Sequence, residues 1–154
     1  MRVLHFDDEQ VGAPPVSLVA LNPDVWTQPF WDAAAQHRLV CARCAACGSF
    51  RMPPGPFCPT CRSQAIEWVE LPGTGELFTY TVIHHPIIPE LRESVPYVIG
   101  VVSLDDAAPA RLVANVVDVT IAELEIGMPL NVVWEPVREG VVIPRFGPAA
   151  TSLA

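Results

Sequence analysis

Through the second half of the chain, apolar residues come in short runs that alternate with polar ones. Five such runs, at 76–84, 97–104, 111–117, 129–135 and 137–143, are rich in Val, Ile, Thr and Tyr and end at polar, Pro or Gly breaks. That is the pattern of short β-strands. Between the third and fourth runs, Thr120 and Glu123 have the spacing of a capping box, and Gly127 stands where a helix would stop. Five strands with a short helix between the third and fourth are the order of elements in an OB-fold barrel, although other small barrels also have five strands. Upstream the period changes. Asn22-Pro23-Asp24 offers an N-cap with Pro at the first helical position, and Pro29 restarts the helix. Phe30, Trp31, Ala34 and Ala35 then make an apolar helix face. Residues 1–22, with Phe6-Asp7-Asp8-Glu9 and Pro14-Pro15, show no sustained period and read as an irregular arm.

The segment between helix and strands is organised by cysteines. Cys44-Ala45-Ala46-Cys47-Gly48 is followed by Cys58-Pro59-Thr60-Cys61, with ten residues between Cys47 and Cys58. Each C-x-x-C turn brings two thiolates to one side of a tight loop, and two facing turns complete a tetrahedron around Zn²⁺. Four thiolate ligands leave no position for water, so such a site is structural and its binding energy goes into folding. Disulfides would need an oxidising compartment, and residues 1–22 have no basic start followed by an apolar stretch. A thioredoxin-like motif would need a βαβ pattern, which is absent. Cys41 forms a third pair with Cys44, but its alternation with Leu39 along an entering strand suits a small buried hydrophobe. The expected ligands are Cys44, Cys47, Cys58 and Cys61. The expected fold is mainly β, with these segments: 1–22 arm, 23–37 helical segment, 38–72 rubredoxin-like zinc ribbon, 73–147 OB-fold and 148–154 tail.

Charge adjusts this picture. The 154 residues carry a net charge of −8, which disfavours a general nucleic-acid binder. No apolar run reaches the length of a membrane span, and five cysteines without an export signal point to a reducing cytoplasm. There is no lysine. Residues 33–66 contain Arg38, Arg43, Arg51 and Arg62 and no acid. The ribbon therefore reads as a basic island, serving either to compensate the thiolate charge or to dock an anion or an acidic partner. His84-His85 ends the first barrel strand. Adjacent strand residues point to opposite faces, so the two cannot act on one substrate group. No Gly-x-Ser-x-Gly, phosphate-binding Gly-rich loop or His/Glu metal motif occurs. No catalytic residue is expected.

Taken together, Pro29-Phe30-Trp31, the two cysteine pairs, Pro53-Pro54, Trp68, Gly73-Thr74-Gly75, Pro96-Tyr97, Ile126-Gly127-Met128-Pro129 and Ile143-Pro144-Arg145-Phe146 resemble the small zinc-ribbon/OB-fold proteins of acyl-CoA metabolism. The resemblance implies a non-catalytic accessory subunit of a thiolase-fold enzyme. Such partners are thiolases, thiolase-like synthases, or aldolases that cleave β-hydroxyacyl-CoA side chains, including those of steroids. It also implies a link to hot-dog-fold enoyl-CoA hydratases, and an OB module beside the acyl-CoA channel. Thiolase folds are usually dimers, so a heterotetramer with two copies of this chain is expected. Arg38, Arg43, Arg51, His84, His85, Trp31 and Phe146 are the candidate contacts to CoA or to the partner. The rival class, a zinc-ribbon/OB nucleic-acid module, would want arginines and stacking aromatics on the barrel. Residues 73–147 hold four arginines against ten acids.

Overall fold

The computed structural model describes residues 8–150; the expectation for Phe6 and Asp7 lies outside them. The described residues form one short α-helix, a three-stranded ribbon and a five-stranded closed barrel. Asp24 Oδ1 accepts the N–H groups of Trp26 at 3.0 Å and Thr27 at 2.8 Å, and the resulting turn precedes helix α1, Gln28–Ala34. The helix therefore starts later than the N-cap reading of Asn22–Asp24 expects, because Asp24 builds a turn of its own.

The ribbon consists of β1 (Val40–Cys44), β2 (Phe50–Arg51) and β3 (Ile66–Glu70), in the order β2-β1-β3. The barrel strands are β4 (Thr74–Ile83), β5 (Tyr97–Leu104), β6 (Arg111–Val116), β7 (Pro129–Arg138) and β8 (Val141–Pro148). They close in the order β4-β5-β6-β8-β7. Between β6 and β7 the capping box forms, with the Thr120 N–H donating to Glu123 Oε2 at 2.8 Å, but it starts a single 3₁₀ turn, Ile121–Glu123.

The last hairpin differs from expectation. A break was expected at Pro136; instead β7 runs through it to Arg138, and the chain turns at Gly140, where φ is +71°. Pro136 borders a register irregularity, a place where a strand tolerates a missing N–H. β8 consequently carries Pro144, Arg145 and Phe146, beyond the predicted end at residue 143, inside the barrel wall.

Inward residues Leu77, Val98, Val102, Val116, Leu130 and Phe146 are fully buried and fill the barrel. Gly100 lets β5 pass this core, because a Cβ there would lie 2.7 Å from Val116 Cγ2. Leu39, Val40, Cys41 and Leu71 of the ribbon region belong to the same apolar cluster, so ribbon and barrel share one core. The His37 and Trp134 rings stack at 5.8 Å across the junction. The arm, although irregular, is fastened to the barrel. Val11 N–H donates to Val119 O at 3.1 Å, Gly12 N–H to Pro96 O at 2.7 Å and Arg145 Nη2 to Pro14 O at 2.8 Å.

Candidate metal centre

Two near-identical turns build the cysteine cluster. In the first, Cys44 N–H donates to Ser49 O at 2.9 Å and Gly48 N–H to Cys44 O at 2.8 Å; in the second, Cys58 N–H donates to Ser63 O at 2.9 Å and Arg62 N–H to Cys58 O at 2.9 Å. Both turns require a left-handed residue four places after the first cysteine. Gly48 takes φ +76° there, and Arg62 takes φ +63° without the help of a missing Cβ.

The four Sγ atoms lie within 4.8 Å of one another. Cys44 Sγ is 3.6 Å from Cys61 Sγ, and Cys47 Sγ is 3.6 Å from Cys58 Sγ. A tetrahedral zinc with its usual thiolate bonds needs sulfur–sulfur edges of about 3.8 Å. The donor set and its spacing therefore fit Zn²⁺ and would hold it in a closed Cys₄ site. Cys44 and Cys58 are buried against the protein, while Cys47 and Cys61 face outward.

The thiols cannot all ionise by themselves. The backbone N–H of Cys61 leads the contributions that hold Cys58 at about 6. The Ser63 N–H pulls Cys61 down, but Cys47, burial, Cys44 and Cys58 outweigh it and push Cys61 up to about 12. A dication is what allows four adjacent thiolates. Cys41 stands apart: it is fully buried, and burial pushes its thiol up to about 11.

Two of the four arginines of the basic island are neutralised. Strand register sets Arg43 opposite Glu67, and the pair closes at 2.6 Å; Arg38 meets Glu70 at 3.0 Å. Both acids lie just beyond the acid-free stretch, and β1–β3 pairing brings them back to it. Arg51 is buried on β2. His84 and His85 are exposed at the start of the loop after β4. Trp31 is half-buried, edge-on to the buried Phe30 at 4.9 Å. Phe146 as a partner contact needs correction: it is 0 % exposed, at the centre of the barrel, and cannot reach another chain.

The candidate contact Trp31 lines an apolar groove of about 350 Å³, where α1, the 52–54 loop and the barrel wall meet. Its walls also include Met52, Pro53, Val113 and Pro144. Val113 is 65 % exposed on β6, and an outward Val in an alternating strand was the sequence signal for this wall.

Two family profiles match consecutive stretches. The ChsH2 rubredoxin-like zinc ribbon domain covers residues 31–67, and the ChsH2 C-terminal OB-fold domain covers 68–135. Over 103 residues the chain is 32% identical to a DUF35 domain-containing scaffold protein of Methanocaldococcus jannaschii, covering 66% of this chain and 70% of the relative. The chain belongs to the DUF35 family. It is also 43% identical over 155 residues to a probable enoyl-CoA hydratase alpha subunit of Thermomonospora curvata. That match covers 96% of this chain but 46% of the relative, so this DUF35 chain spans about half the length of that protein. Among solved structures, a chain of the Ltp2-ChsH2(DUF35) aldolase superposes with a TM-score of 0.75 at 39% identity, covering 85% of this chain and 100% of that one. The DUF35 combination of ribbon and barrel is thus present in this chain, with the four cysteines positioned for metal.

Proposed function

We propose that this chain is a non-catalytic accessory subunit of a thiolase-fold acyl-CoA enzyme, an aldolase or thiolase acting on C–C bonds of steroid or lipid side chains. The observation that carries this reading is the match over the full length of the DUF35 chain in the Ltp2-ChsH2 aldolase. The chemistry of the chain agrees with it. Its one cluster of metal-type ligands among the described residues is a closed thiolate set, which suits structure rather than turnover. The groove beside Trp31 and Val113 is the face best suited to a partner, being apolar and concave. With a dimeric thiolase-fold partner the assembly would be a heterotetramer. His84 and His85 lie on a separate exposed loop with Ile87 and Ile88, a second candidate contact.

A hydratase partner is the second reading, favoured by the hydratase alpha subunit that matches nearly all of this chain. Co-expression with the thiolase-like protein encoded nearest to this chain, followed by sizing chromatography, separates the two. A co-eluting pair supports the first reading. Separate elution, with co-elution of a hydratase subunit instead, supports the second.

A further inference from the structure

The ribbon's short second strand carries a charge that the described residues leave unmatched. Arg51 is 6 % exposed, and its Nε, Nη1 and Nη2 are all buried without a hydrogen-bond partner among the described residues. A guanidinium has five N–H donors and does not lose its proton inside proteins. Leaving one buried and unpaired is among the costliest arrangements a fold can contain. Its neighbours on the ribbon show the usual solution, since Arg38 and Arg43 both meet glutamates. Pairing of Arg51 with Ala42 of β1 holds it on the sheet edge, and no acid of the described chain reaches it.

Arg51 lines a recess of about 410 Å³ between the ribbon loop and the turn that joins β5 to β6. The other walls come from residues such as Met52, Pro53, Phe57, Pro59 and Pro109, and none of them is charged. Phe57 stands at this recess 59 % exposed, an apolar ring that the described residues leave mostly uncovered. The Met52-Pro53 edge of the recess is also a wall of the groove beside Trp31.

We propose that this recess receives a carboxylate side chain of a partner polypeptide, seated on the Arg51 guanidinium. The inference deepens the accessory-subunit reading and rests on it for the identity of the partner as a protein. A planar carboxylate matches the guanidinium fork and balances its single charge. A phosphate monoester carries up to two charges and would leave an excess in apolar surroundings with no second cation. An acidic side chain delivered by a protein also brings apolar surface to cover Phe57, which a free ion cannot do. The guanidinium nitrogens are shielded in the isolated chain, so the 52–57 loop must yield as the pair forms on docking.

The test uses Arg51→Met, which keeps length and removes charge, in the full chain. Alone, the variant should bind zinc and melt at or above the wild-type midpoint, because an unpaired buried charge has gone. With its partner it should bind about thirtyfold or more weakly. A lower midpoint for the free variant, or unchanged affinity in the complex, would overturn the proposal. A second measurement needs no partner and therefore fails separately from the accessory-subunit reading. Benzoate, an apolar carboxylate, should raise the wild-type midpoint by a few degrees, more than inorganic phosphate at equal ionic strength, and should have no effect on Arg51→Met. No benzoate shift, a larger phosphate shift, or an equal benzoate shift in the variant contradicts the carboxylate assignment.

Discussion

Cys41 and Cys44 lie three residues apart on one strand, yet only Cys44 points its sulfur into the cluster. Burial keeps the Cys41 thiol protonated, and it packs as a small apolar residue. We therefore predict one zinc per chain by elemental analysis, retained in Cys41→Ser and lost or much weakened in Cys44→Ser. Zinc lost from Cys41→Ser alone would contradict the ligand set. The ligands were legible in the sequence because C-x-x-C spacing is a local property of a turn. The arginines were not. Whether Arg43 is free depends on Glu67, which only strand register places opposite it. Phe146 was misread for a similar reason: the predicted run ends at residue 143, whereas β8 continues to Pro148. Phe146→Ala should destabilise the chain itself by about 3–5 kcal/mol in chemical unfolding, as emptying a packed core does. Trp31→Ala should cost the free chain clearly less than Phe146→Ala does, because Trp31 is only half-buried, and should weaken a partner complex by about 2 kcal/mol. The reverse pattern would place the docking face elsewhere.

Among the elements, strands with clean alternation were read to within a few residues, and β5 spans the predicted 97–104 run. Ends that depend on proline were less legible, since Pro136 is compatible with a strand where pairing is irregular. The capping box was visible as Thr120 and Glu123, but not the fact that it opens only one 3₁₀ turn. Its energetics can be tested through pH. The Thr120 N–H and hydroxyl hold the Glu123 carboxyl below its ordinary value of 4.5. A group lowered on folding contributes stability above its unfolded pKa and loses it as pH falls through the folded one. The stability difference between wild type and Glu123→Gln should thus be constant from pH 7 to about 5 and shrink below about 4. Urea unfolding at each pH measures it; a difference that does not change with pH shows that the carboxylate charge contributes nothing.

For the molecule as a whole, the shared core decides how metal and barrel depend on each other. Leu39, Val40, Cys41 and Leu71 pack in the same cluster as Leu77, Val98 and Phe146. Zinc removal by a chelator should therefore lower a single melting transition of the whole chain, by about 10 °C or more. Two transitions in calorimetry, with the barrel's unmoved, would show that ribbon and barrel are energetically separate. The sequence alone could suggest both modules, but not that one hydrophobic core joins them, because that depends on packing between distant residues. The central claim is that this chain supports acyl-CoA chemistry that a partner performs. The most direct measurement is a C–C cleavage assay on β-hydroxyacyl-CoA run in parallel on the zinc-loaded chain, on the thiolase-fold partner, and on the two together. The account predicts no turnover by this chain alone and substantially more turnover by the pair than by the partner. Turnover by the purified chain alone, surviving removal of trace contaminants, or a partner indifferent to its presence, would contradict it.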